Sequence, residues 1–106
     1  MLESKYQAYL RKEIEKLLPS CFVMKNDTGY IQGVPDLIIL YKNKWGVLEV
    51  KTHAGQRREP NQEYYIDMLN EMSFGAFIYP EIEEQVLNDL QQALEPRRHA
   101  RVFKSK

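Results

Sequence analysis

Three charged residues interrupt the apolar stretch Gly33 to Lys51, GVPDLIILYKNKWGVLEVK, of this 106-residue chain. Asp36 stands at the mouth of the run Leu37 to Tyr41, and Glu49 and Lys51 lie two apart at the end of the run that starts at Val47. Side chains of a strand alternate between its faces, so Glu49 and Lys51 share one face while Leu48 and Val50 point to the other. A carboxylate and an ammonium among apolar neighbours are costly to bury unless they bind each other or a ligand. The chemistry open to such a group is narrow. Asp36 and Glu49 are hard anionic oxygen donors, which suit magnesium or manganese rather than zinc, and Val50 between Glu49 and Lys51 can add its backbone carbonyl. Lys51 has two readings. As a bare counter-ion it only neutralises Glu49; beside carboxylates taken up by a metal, its ammonium is free to orient a nucleophile and stabilise developing negative charge. We take the second reading.

The elements that must position these residues follow from periodicity. Leu2, Tyr6, Leu10, Ile14, Leu17 and Leu18 recur at helical spacing, so residues 2 to about 18 read as an amphipathic helix closed by Pro19. Glu3 lies near the edge of that stripe and Glu13 close to its middle; each can be an edge glutamate with a solvated head. Cys21 to Met24 reads as a short buried strand, and the loop from Lys25 to Gln32 follows. Lys25 and Tyr30 there are either phosphate and base contacts or a solvated lysine and a packed tyrosine. Lys42, Asn43, Lys44 and Gly46 make a polar turn that joins the two central runs as a hairpin. After Lys51 comes a basic loop carrying His53, Arg57 and Arg58, then a helix from about Pro60 with Tyr65, Ile66, Leu69 and Met72 as its apolar stripe. Gln62 shares that inward face, where a structural glutamine bonded to backbone would account for it. Phe74 to Tyr79, FGAFIY, suits a central buried strand stopped by Pro80, and Ile82 to Leu94 a last helix ended by Pro96. The order predicts an α/β fold, a mixed β-sheet flanked by helices.

Pro35-Asp36, a gap, then Glu49-Val50-Lys51 resembles the PD-(D/E)XK nuclease signature. The wider run Asn26, Gly29, Gly33-Val34-Pro35-Asp36, Gly46, Glu49-Val50-Lys51, Gly55 and Gln62 is similar to the virus-type replication-repair nuclease (VRR-Nuc) branch. The resemblance runs from the first helix to about Pro80. It implies a restriction-endonuclease-like core of order αβββαβα, with a ligand set of Asp36, Glu49 and the Val50 carbonyl completed by a glutamate early in the first helix. Glu3, followed by Tyr6, Gln7 and Leu10, is the better match, and Glu13 is the rival. It also implies that Gln62 positions Lys51 or the attacking water. Hydrolysis of a phosphodiester needs an activated water and shielding of negative charge, and a bound magnesium supplies both, with manganese able to substitute. The expected activity is a magnesium-dependent DNA endonuclease on branched, Holliday-junction-like DNA in replication, recombination or repair. A non-catalytic module of the same fold that binds nucleic acid or a protein partner, and an RNA-directed nuclease, are the alternatives.

Whole-chain properties set limits on this reading. Hydrophobic residues make up 43% and charged residues 28%, ordinary for a globular protein, and the length suits one domain. We expect a nuclease domain over residues 1–95 and a basic tail over 96–106. The formal net charge is zero, yet residues 97–106 carry Arg97, Arg98, Arg101, Lys104 and Lys106 with no acid, while 81–95 carry five acids and no base. A zero sum therefore does not exclude a DNA-binding face, for which Lys25, Arg57, Arg58, Arg97, Arg98 and Arg101 are the candidates. The single cysteine, Cys21, excludes an internal disulfide and reads as a buried core residue. His53 stands alone in a polar loop and is left out of the catalytic set. No apolar run reaches the length of a membrane span and the N-terminus lacks a signal peptide's apolar region, so we expect no membrane partner and an intracellular, cytoplasmic protein. Its small size and the resemblance agree with a phage or prophage source. Two opposed strands of a junction call for two sites, so a homodimer is expected, with Trp45, Tyr41, Tyr64 and Tyr65 as candidate anchors.

Overall fold

A computed structural model of the protein describes residues 1–26 and 31–96. Its elements are α1 (Glu3–Leu17), β1 (Phe22–Lys25), β2 (Leu37–Tyr41), β3 (Lys44–Val50), α2 (Gln62–Met72), β4 (Phe74–Ile78), a single 3-10 turn (Pro80–Ile82) and α3 (Glu83–Leu94). This is the expected αβββαβα order. The four strands form one sheet in the order β1-β2-β3-β4. β1 and β2 run antiparallel, as do β2 and β3, whereas β3 and β4 are parallel, with α2 as their crossover.

The alternation seen in sequence decides which side each residue takes. Leu37, Ile39 and Tyr41 of β2, Leu48 and Val50 of β3 and Ile78 of β4 form one buried cluster with Tyr6, Leu10 and Ile14 of α1 and Val86, Leu90 and Leu94 of α3. α2 lies on the other face, and Gly75 of β4 lets it approach. A Cβ at Gly75 would stand 3.1 Å from both the Asn70 nitrogen and the Ile66 carbonyl oxygen. Glu49 and Lys51 alternate with Leu48 and Val50, so they emerge on the α2 side, where Gln62 begins the helix.

Several sequence expectations are corrected here. β1 starts at Phe22 rather than Cys21, and only Val23 within it is buried; Phe22 is 60% exposed. β1 is an edge strand and α2 covers only the β3 and β4 half, so the alternate residues Phe22 and Met24 meet no helix. Cys21 is half-buried just outside the strand. β4 is likewise an edge of the sheet and owes its burial to the helices on both faces. The hairpin turn is tighter than expected. Tyr41 pairs directly with Lys44, leaving Lys42 and Asn43 as the turn, with Lys42 in the left-handed region at φ 55°. Gly46 is consequently a strand residue; a Cβ there would stand 3.0 Å from Leu90 Cδ1 of α3. Leu2 and Met72, assigned to apolar stripes, lie at helix ends and are exposed.

Candidate active site

Asp36 enters β2 from a loop held at several points. The Asn26 N–H donates to the Asp36 carbonyl at 2.6 Å, and Asn26 Nδ2 donates to the Pro35 carbonyl at 3.2 Å. Upstream, Gly33 has φ 94°, and a Cβ on it would come within 2.8 Å of Asn61 Cβ. Asn61 itself is left-handed at φ 75° and precedes the first residue of α2. The loop before Asp36 is thus seated on the start of the helix that carries Gln62, and both positive-φ positions serve that contact.

The side chains converge across β2, β3 and α2. Asp36 Oδ2 accepts the Val50 N–H at 2.9 Å. The Lys51 N–H instead donates to the Ile78 carbonyl of β4 at 2.8 Å, so alternate amides of β3 point to opposite sides. In a strand the N–H and C=O of one residue point the same way, which turns the Val50 carbonyl toward the Asp36 side. Gln62 is the hub. Its Nε2 donates to Glu49 Oε2 at 2.8 Å, and its Oε1 accepts Lys51 Nζ at 2.8 Å and the Glu59 N–H at 2.7 Å. Lys51 Nζ also donates to the Arg57 carbonyl at 3.0 Å. Glu49 Oε2 is 4.0 Å from Lys51 Nζ, beyond hydrogen-bond range, so the two are held side by side through Gln62 rather than bonded to each other.

Glu49 and Lys51 are 3% and 5% exposed, and Glu49 Oε1 is buried with no hydrogen-bond partner. Burial, then the charge of Asp36, push the Glu49 carboxyl up to about 9; Lys51 opposes this and Glu3 adds to it. Glu3 at the start of α1 is also raised, by partial burial first and the Asp36 charge second. Glu3 is therefore within electrostatic reach of Asp36, Glu49 and Lys51. Glu13, ten residues further along α1, instead pairs with Lys16 at 3.1 Å.

Among the described residues no three His, Cys, Asp or Glu side chains form a ready-made metal cage. The donors do fit a hard cation that keeps several waters, as magnesium does when bound by one or two carboxylates. Asp36 and Glu49 supply those carboxylates, the Val50 carbonyl faces the same side, and the unpartnered Glu49 oxygen is a buried acceptor that a cation would satisfy.

The remaining candidates are scattered. Arg57 contributes its carbonyl to Lys51 and leaves its side chain exposed. Arg58 stacks 3.7 Å from the Phe77 ring centroid and pairs with Glu63 at 2.6 Å; Phe77 is the register partner of Glu49. Lys25 is exposed at the end of β1, and His53 is exposed in its loop. Tyr30, Gly29, Arg97, Arg98 and Arg101 lie outside the described residues. Sequence reasoning missed Gln56, whose Oε1 accepts the Thr52 N–H and hydroxyl at 2.6 and 2.8 Å, and Asn61, whose contact with Gly33 has no local signature.

No protein-family model and no curated protein matches the sequence. Solved structures do. One described as "VRR_NUC domain" is 22% identical and superposes with a TM-score of 0.63, covering 84% of this chain and 94% of that one. A second, "VRR_NUC domain protein", is 18% identical with a TM-score of 0.62, covering 90% of this chain and 89% of its own. The mixed four-stranded sheet with helices on both faces has the VRR-Nuc fold.

Proposed function

We propose that this protein is a magnesium-dependent endonuclease that hydrolyses DNA phosphodiesters at branched sites, with manganese able to replace magnesium. The observation that carries the reading is the buried Glu49 Oε1 left without a partner beside Asp36, while Lys51 is held ready by Gln62 and the Arg57 carbonyl. Asp36, Glu49, the Val50 carbonyl and Glu3 would hold the ion. Magnesium held there would lower the pKa of a coordinated water and polarise the phosphate. Asp36 is kept in place by the Val50 N–H and Glu49 by Gln62, so both carboxylates are oriented before substrate arrives. Gln62 and the Arg57 carbonyl take two of the three Lys51 protons, and the third is available to the phosphate oxygen on which charge develops. Arg57 and Lys25 are exposed cations for flanking phosphates, while Arg58 is already engaged by Phe77 and Glu63.

A homodimer is the assembly we propose for cutting two opposed strands. Of the aromatic anchors expected from sequence, Tyr41 is consumed within its own subunit: it is buried and its hydroxyl donates to Glu95 Oε2 at 3.0 Å. Trp45 is half-buried and is the register partner of the exposed Leu40, which pairs in turn with the exposed Phe22. Tyr64 on α2 is 61% exposed. Cleavage of labelled four-way junctions, linear duplex and matched RNA, with and without magnesium, tests the activity, and light scattering tests the assembly. Magnesium-dependent cutting of the junction by a particle of twice 12.6 kDa is expected. No cutting of any substrate, or faster cutting of RNA, contradicts the reading.

A further inference from the structure

A buried glutamine grips the acid at the start of α1. Gln7 sits one turn after Glu3 and is 7% exposed, and α1 buries Tyr6, Leu10 and Ile14 along with it. Its Nε2 donates to Glu3 Oε2 at 3.1 Å, which sets the amide's orientation, because the reverse placement would set two acceptors against each other. Gln7 Oε1 is buried and has no hydrogen-bond partner among the described residues. A buried amide with one end unpaired costs stability that an unbranched apolar side chain of the same length would not. Packing alone gives no reason for glutamine at this position.

Side-chain pairs four residues apart are common on helices, and α3 shows one that merely decorates a surface. There Gln85 Nε2 donates to Asp89 Oδ1 at 2.8 Å, with both residues exposed. Gln7 differs in its burial and in what it holds. Glu3 feels the charges of both Asp36 and Lys51, so its carboxylate belongs with the candidate metal site. The parallel is Gln62, 9% exposed, whose Nε2 donates to Glu49 Oε2 at 2.8 Å. Two of the acids assigned to the ion thus each have one oxygen held by a buried amide. A neutral donor fixes the direction of a carboxylate without cancelling the charge that a cation needs, which an ammonium would do.

We propose that Gln7 is a positioning residue, which fixes the Glu3 carboxylate for the cation although its own burial costs stability. Glu3 is only partly buried, so without this amide its side chain is free to take other rotamers. It then offers its oxygens to the ion less often, and affinity falls although no ligand atom has been removed. An apolar side chain at position 7 should therefore have opposite effects, weakening metal binding while leaving the fold as stable or more so. The proposal rests on the reading of Asp36, Glu49 and Glu3 as ligands of a cation.

Calorimetric titration of magnesium at pH 7 and denaturant unfolding in EDTA test it on the wild type, Gln7→Met, Glu3→Gln and the double variant. Methionine keeps the length and helix propensity of glutamine and removes the amide. We expect Gln7→Met to raise the magnesium Kd about tenfold, and by no more than Glu3→Gln does, with an unfolding midpoint equal to or above that of the wild type. In the Glu3→Gln background the same change should move Kd by less than about twofold, because Gln7 acts through the Glu3 carboxylate. An unchanged Kd in Gln7→Met, an equal effect with and without the Glu3 carboxylate, or a lowered midpoint overturns the role of Gln7 and leaves the metal site standing. A wild type without saturable magnesium binding overturns both.

Discussion

Glu83 and Glu49 both reach across this molecule to groups on other elements, and they are treated in opposite ways. Glu83 at the start of α3 accepts the Tyr6 hydroxyl on Oε1 at 2.9 Å and the Tyr9 hydroxyl on Oε2 at 2.8 Å, so both oxygens are occupied and α1 is tied to α3. Glu49 accepts Gln62 on one oxygen and nothing on the other, and it stands beside Asp36 and within reach of Glu3. A carboxylate placed for stability is saturated by neutral donors. A carboxylate crowded by other acids, with an acceptor left open, costs stability and is explained by a ligand. Several variants sharpen this contrast.

The largest effect belongs to Lys51. Lys51→Ala removes the ammonium that faces the phosphate, and cutting of junction DNA in magnesium should fall by about 10²-fold or more with the fold intact by circular dichroism. Asp36→Asn should lose activity comparably, since an asparagine oxygen still accepts the Val50 N–H and preserves the loop. Wild-type cutting by either variant would remove these residues from the site.

Next comes Gly33→Ala, which meets both a positive φ and a 2.8 Å approach to Asn61. We expect a loss on the order of 1–3 kcal/mol in denaturant unfolding, with reduced cutting because the Asp36 loop loses its seat on α2. Unchanged stability would show that the contact relaxes freely. On the structural glutamate, Tyr6→Phe should cost about 1 kcal/mol and leave cleavage unchanged, because it removes a donor from Glu83 alone. A drop in cutting at constant stability would tie the α1 and α3 clamp to the site. The smallest effects separate the two helix acids. Glu3→Gln should raise the magnesium needed for half-maximal cutting, whereas Glu13→Gln loses an exposed pair worth about 0.2–0.5 kcal/mol and leaves the magnesium requirement alone.

These contrasts also mark what the sequence could tell. Asp36, Glu49 and Lys51 stand out because each breaks an apolar strand pattern, and Gln62 because it sits on the inward face of a helix. Period-two alternation alone puts Glu49 and Lys51 together. The seating of Gly33 on Asn61 joins residues from separate segments and has no periodic trace. The exposure of Phe22 and Met24 was hidden as well, since FVMK reads equally well as an edge or a central strand, and the extent of α2 over the sheet decides which. The burial of Gln7 went unread because it depends on how α1 lies over β1 and β2.

The raised Glu49 carboxyl gives the contrast a pH dependence. In the metal-free protein, folded and unfolded chains are both protonated at this group below its ordinary value of 4.5. Between 4.5 and about 9 the folded chain keeps a proton that the unfolded chain has released, so stability falls as pH rises through that window. Thermal unfolding across it should show a decline that Glu49→Gln flattens.

The central claim is that Glu49 and Asp36 are held for a cation, and calorimetric titration of magnesium into the protein at pH 7 tests it most directly. Run in two buffers of different ionisation enthalpy, it counts the protons displaced. The account predicts one saturable site per chain that releases about one proton as Glu49 ionises onto the ion, with binding lost in Asp36→Asn and proton release lost in Glu49→Gln. Absence of saturable binding, or binding indifferent to both substitutions, would contradict it.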